Sequence, residues 1–107
     1  MNSNTPLSCN MDVLTPDQRE AHILNTMQLA QAIQSLQEVE NGYEFTFPND
    51  SDFISKIGDF ISNERLCCPF LEFTLNVFSD VEPISLTLSG PVGTPEFLRA
   101  EFSGVFE

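Results

Sequence analysis

The sequence contains no tryptophan, a single histidine and only four basic residues against sixteen acidic ones. The formal net charge of -12 repels phosphate backbones and anionic lipid headgroups. We therefore expect no nucleic-acid partner and no binding to a membrane surface. The sequence also lacks any run of about 18 apolar residues, so we expect no membrane-spanning helix.

The N-terminus, Met1 to Asp12, lacks the basic residues and the apolar segment of a secretory signal, so we expect a cytoplasmic protein. Three cysteines, an odd number with two of them adjacent, do not make a disulfide framework, and the cytoplasm favours thiols. Cys9 lies alone in a flexible lead-in, residues 1–14, and we expect it to be incidental. One histidine and no nucleophile-elbow motif give no Ser-His-Asp triad to propose.

A chain of 107 residues with ten Phe and 41% apolar content fits a single globular domain with an aromatic core, which we place at residues 15–107. Thr15, Pro16 and Gln18 predict a capped helix start, and this helix should run to about residue 32. Its apolar stripe has helical spacing and is predicted to face the core. The stripe consists of Ile23, Leu24, Met27 and Ala30.

The Asn41-Gly42 turn predicts a hairpin between strands at about 35–40 and 43–47. The first helix could instead continue through Leu36, so residues 33–40 are either strand or helix continuation. In the hairpin, either Glu40 or Val39 could lie opposite Tyr43. A second, amphipathic helix follows Pro48 and ends before Pro69. Alternating strands at 71–77 and 84–89, then a helix from about residue 94, complete the chain.

This order of helix, hairpin, helix, hairpin, helix predicts an α+β fold. A four-stranded antiparallel sheet built from the two hairpins should carry the helices on one face. Its other face, which is polar in both hairpins, should be open to water.

The stretch from Glu64 to Phe73 contains the candidate site. Glu64 lies where the apolar stripe of the second helix calls for an apolar side chain. Cys67 and Cys68 follow three and four residues later, so the carboxylate should neighbour at least one thiol. His22 could approach this cluster if the first helix crosses the second.

Three interpretations of this cluster remain open. In the first, the cysteines only pack in the core. In the second, Glu64, Cys67, Cys68 and His22 bind zinc or another thiophilic metal ion, although adjacent cysteines diverge and rarely bind one tetrahedral ion. In the third, Cys67 and Cys68 form a strained, easily reduced vicinal disulfide. A thiol enzyme is disfavoured, because the negative end of the helix dipole and Glu64 both raise the pKa of a thiol.

The run Glu64-Arg65-x-Cys67-Cys68-Pro69-Phe70-x-x-Phe73 resembles the signature of a family of small, uncharacterised bacterial proteins. The resemblance also includes the Gly42-Tyr43 turn and the run from Leu86 to Pro91, and it extends over about residues 15–102. It implies an intact domain and a bacterial origin, and it marks the double-cysteine motif without assigning a reaction.

From the sequence we therefore expect a small cytoplasmic thiol protein that binds a thiophilic metal ion or acts as a redox switch through vicinal cysteines. The alternative is a non-catalytic interaction module in which the cysteines are structural. Such a module would form a homodimer through its exposed sheet face or a sheet edge.

Overall fold

The computed structural model describes residues 7–79 and 81–106. Its helices and strands follow the predicted order: α1 (Pro16–Gln31), β1 (Ser35–Val39), β2 (Gly42–Phe47), α2 (Ser51–Cys67), β3 (Glu72–Asn76), β4 (Ile84–Ser89) and α3 (Thr94–Glu101). Short 3-10 turns lie at Met11–Val13 and Ser103–Val105. The segment that could have continued the first helix is strand β1.

Side-chain caps begin the two long helices. At α1, the Gln18 amide donates to the Thr15 hydroxyl over 3.2 Å, and the Thr15 amide donates to the Gln18 side chain over 2.9 Å. At α2, the Asp50 carboxylate accepts a hydrogen bond of 2.8 Å from the amide of Asp52. The capping box predicted from the sequence is therefore confirmed.

The four strands form one antiparallel sheet in the order β1-β2-β4-β3. The first hairpin differs from both predicted registers, because Val39 pairs with Gly42 and the loop consists of Glu40 and Asn41. Asn41 takes the left-handed conformation, with φ at 57°, which asparagine tolerates better than most residues. Gly42 lies within β2, where a Cβ would overlap the carbonyl oxygen of Leu88. Glycine is therefore needed for close strand packing there.

One face of the sheet forms the core and the other is polar, as predicted. The core face of the two central strands is buried: Tyr43, Phe45, Phe47, Ile84, Leu86 and Leu88. On the opposite face, Ser85 donates to the Glu44 carboxylate over 2.7 Å, and the hydroxyls of Ser35 and Thr46 lie 2.6 Å apart. Hydrogen bonds thus join polar side chains across this face, and its side chains other than the buried Ser85 are half-buried or exposed.

The predicted core stripe of α1 was wrong. Ile23, Leu24 and Met27 are 47%, 54% and 53% exposed, whereas His22 and Leu29 are buried. The helix therefore turns a different side toward the core than the sequence predicts. Polar contacts account for this orientation, since the Asn25 side chain donates to the Lys56 carbonyl of α2 over 2.8 Å. No helix in the described part of the chain is long and apolar enough to cross a bilayer.

The N-terminal segment 7–14 lies against the domain that it precedes. Leu14 is 3% exposed and belongs to the hydrophobic core. The amide of Asn10 donates to the Cys67 carbonyl over 2.8 Å, and Arg19 donates to the carbonyls of Met11 and Leu14. Residues 1–6 of the predicted lead-in lie outside the described residues.

Candidate functional site

The last turn of α2 places Glu64 beside Cys68. The helix continues to its cap at Cys68, whose amide donates to the Glu64 carbonyl over 2.8 Å, before Pro69 ends it. This spacing of four residues puts both side chains on one face. The Cys68 Sγ lies 3.3 Å from the Glu64 Oε2, so the predicted neighbourhood of carboxylate and sulfur is confirmed.

Cys68 forms a disulfide with Cys9, a residue that we expected to be incidental. The vicinal Cys67–Cys68 disulfide was therefore wrong, because Cys68 pairs with Cys9. The vicinal bond is disfavoured because consecutive Cα atoms lie about 3.8 Å apart, below the usual range for bridged cysteines. The short N-terminal turn instead brings Cys9 to the end of α2.

Cys67 is a buried free thiol that lies apart from the sulfur pair. Burial and then the negative charge of Glu64 raise the pKa of Cys67, while the positive charge of Arg19 opposes them. Both burial and the charge of Glu64 disfavour the thiolate of Cys67. This agrees with the expectation that the helix end does not produce a reactive thiolate.

His22 reaches the cluster from α1, as the crossing of the two helices allows. Its Nε2 lies 2.7 Å from the Glu64 Oε1, and both side chains are at most 5% exposed. The carboxylate can only accept, so we assign the proton of this bond to Nε2. The ring stacks on Phe60 with centroids 5.6 Å apart. Its Nδ1 is buried, with no hydrogen-bond partner among residues 7–79 and 81–106.

The ligand atoms of Cys9, Glu64 and Cys68 lie within 4.8 Å of one another. The structure therefore gathers two of the four predicted ligands, Glu64 and Cys68, together with Cys9 in place of Cys67. His22 is not part of this group of three, and its Nε2 contacts the other oxygen of Glu64. Two sulfur atoms and a carboxylate are groups that zinc and softer ions prefer. Two sulfur atoms this close can also alternate between a disulfide and two thiols.

The sequence contained only weak signals for Cys9. The odd number of cysteines left one without a partner, and Leu14 is an apolar residue that could tie the lead-in to the core. Neither signal specifies a partner 59 residues away.

Comparison with known proteins found no matching family, no matching curated protein and no matching solved structure.

Proposed function

We propose that the reduced protein binds one thiophilic metal ion through Cys9, Cys68 and Glu64, and that oxidation replaces this site by the Cys9–Cys68 disulfide. The proposal rests on one observation, the gathering of two sulfur atoms and a carboxylate oxygen within 4.8 Å, with Glu64 and Cys68 buried and Cys9 half-buried. Zinc is the first candidate, and other soft ions share its preference for thiolates.

Charge favours a cation at this position. Reduction and deprotonation of the two cysteines would place two thiolates beside the buried Glu64 carboxylate, and like charges this close cannot all remain ionised without compensation. A divalent ion compensates them. For zinc, bonds of about 2.3 Å to sulfur and about 2.0 to 2.2 Å to oxygen bring tetrahedral ligand atoms within about 4 Å of one another. The cluster is thus close to the required size.

The two carboxylate oxygens of Glu64 have different roles in this proposal. Oε1 accepts the hydrogen bond from His22, and Oε2 faces the sulfur of Cys68. The imidazole therefore orients the carboxylate so that Oε2 can bind the ion, which is a common role for a group just outside the ligand shell. A water molecule or a shift of the His22 ring would complete a tetrahedral set.

The disulfide is the oxidised form of the same site. When a small-molecule disulfide oxidises the protein, Cys9 and Cys68 give up two electrons and two protons and join, and the small disulfide becomes two thiols. A cytoplasmic location, which the sequence predicts, would keep the pair reduced and able to bind the ion. Membership of the bacterial double-cysteine family stays a prediction.

Cadmium titration tests the proposal, because each cadmium–thiolate bond adds charge-transfer absorbance in the ultraviolet. Fully reduced protein should bind one cadmium ion per chain with the absorbance of two thiolates. Cys9→Ser and Cys68→Ser should each lose about half of this absorbance and bind at least about tenfold more weakly. Cys67→Ser is the matched control and should bind like the parent. A Cys67→Ser variant that loses binding while Cys9→Ser retains it would refute the proposal.

A further inference from the structure

The strand β3 lies at one edge of the sheet and is poorly covered. Four of its five residues are exposed. An edge strand presents unpaired backbone donors and acceptors, and proteins commonly protect such edges with charge, proline or a bulge. The run from Phe73 to Ser79 contains no charged residue and no proline. Glu72, at the first position of β3, is the only charged residue of the strand. The rest of this edge lacks those protections and is suited to pairing with another strand.

Apolar side chains accompany this open edge. Leu75 and Val77 continue the core side of β3 beyond Phe73 and are 36% and 45% exposed. Phe78 is 56% exposed and Ile54, in the first turn of α2, is 36% exposed. Asn49, two residues before α2, donates to the carbonyls of Ser79 and Glu82, so the end of β3 and the start of α2 lie at the same end of the sheet. A partner at this edge would cover apolar surface as well as backbone groups.

The opposite edge of the sheet, strand β1, carries charge. Glu38 accepts from the hydroxyl of Tyr43 over 3.2 Å and lies 3.6 Å from the guanidinium of Arg99. A polar network and an ion pair therefore protect this edge. The contrast between the two edges identifies β3 as the one available for pairing.

From these contacts we infer that two copies of the chain associate through antiparallel pairing of their β3 strands. Each copy carries a formal net charge of -12, so a second copy can approach only where like charges do not meet. We place Leu75 of one copy directly opposite Leu75 of the other. In this register, Glu72 of one copy faces Phe78 of the other. The two Glu72 residues then lie about 20 Å apart along the strands, beyond a Debye length of about 8 Å.

This pairing is also consistent with the layers of the fold. In the register centred on Leu75, Phe73 of one copy faces Val77 of the other, and all of these side chains lie on the core side. The two sheets then join into one eight-stranded sheet with all helices on the same face. The inference is independent of the metal proposal, because Cys9, Glu64 and Cys68 take no part in it.

Sedimentation of the oxidised protein over a range of concentrations tests this dimer. The parent should show a reversible dimer, and Leu75→Glu should raise its dissociation constant at least about tenfold, because it places like charges directly opposite each other. Leu24→Glu, the same change at an exposed leucine of α1, is the matched control and should leave the dimer intact. A parent that is monomeric throughout would overturn the inference, and so would a dimer that only Leu24→Glu disrupts.

A cross-linking variant covers the case in which Leu75→Glu fails to fold. Directly opposed residues of an antiparallel pair have Cα atoms about 4.5 to 5.5 Å apart, within the range that a disulfide bridges. In a Cys67→Ser background, Leu75→Cys should therefore form a covalent dimer on mild oxidation, whereas Val81→Cys, which is 83% exposed but outside the strand, should not. Absence of the Leu75→Cys dimer, or equal cross-linking of both variants, would overturn the inference.

Discussion

The contributions of His22 and Glu64 to the free energy of unfolding should be strongly coupled. The two side chains are 3% and 4% exposed and their hydrogen bond is 2.7 Å long. Replacing His22 by Phe preserves a ring against Phe60 but leaves the Glu64 carboxylate buried without its donor. Loss of one partner from such a pair costs about 3 to 5 kcal/mol. We therefore expect His22→Phe to lower the melting temperature by roughly 12 °C or more.

Replacing both partners should restore most of that loss. Apolar side chains of similar volume in place of a buried pair are often neutral or stabilising, so the double variant His22→Phe, Glu64→Met should unfold within about 2 kcal/mol of the parent. Urea denaturation of the oxidised parent, the two single variants and the double variant gives the coupling energy, expected near 2 to 3 kcal/mol. Additive effects, within about 0.5 kcal/mol, would refute the coupling.

The same double variant separates stability from function. It keeps both cysteines of the sulfur pair but lacks the carboxylate and the imidazole that orients it. We expect the folded, reduced double variant to bind cadmium at least about tenfold more weakly than the parent. Parental affinity in this variant would show that Glu64 is not a ligand.

Three further predictions concern two glycines, the disulfide and Glu101. Gly42→Ala should lower the free energy of unfolding by more than about 2 kcal/mol, because its Cβ would overlap the Leu88 carbonyl. Gly58→Ala, in open space on α2, should raise the free energy of unfolding by about 0.5 to 1 kcal/mol. Urea denaturation measures both changes. Reduction of the disulfide, which closes a loop of 59 residues, should cost about 4 kcal/mol in the chain-entropy description, and calorimetry with and without reductant checks this. Desolvation and then the charge of Glu64 raise the pKa of Glu101 in the folded protein. The contribution of Glu101 to folding stability is therefore present at low pH, where the carboxyl is protonated, and is lost as pH rises through the folded-state pKa. Glu101→Gln should therefore gain stability over the parent as pH rises from below 4.5, and an unchanged difference across that range would contradict the assignment.

Local signals in the sequence predicted most of the elements of this fold. The capping box at Thr15 and the proline at Pro69 act on their immediate neighbours, so the start of α1 and the end of α2 followed from the sequence. Alternation of apolar and polar residues likewise predicted the two faces of the sheet. The hairpin register was wrong because it depends on which residue takes the left-handed conformation, and Asn41 does so in place of Gly42.

The candidate site was predicted only where its residues belong to one helix. Glu64 and Cys68 were brought together by helical spacing alone, and Glu64 was marked by its place on an apolar stripe. Cys9 was missed because a contact across 59 residues leaves no periodic pattern. The exposed face of α1 was missed because Ile23, Leu24 and Met27 have core spacing. The buried side instead carries His22 and Leu29, whose partners lie on other elements of the fold.

X-ray absorption at the zinc edge tests the central proposal most directly. The fully reduced protein, loaded with one equivalent of zinc and freed of excess metal, should show two sulfur neighbours at about 2.3 Å and the remaining neighbours as oxygen or nitrogen at about 2.0 to 2.2 Å. Cys67→Ser should give the same spectrum. Three sulfur neighbours, a single sulfur neighbour or failure to retain zinc would contradict a site built from Cys9, Cys68 and Glu64.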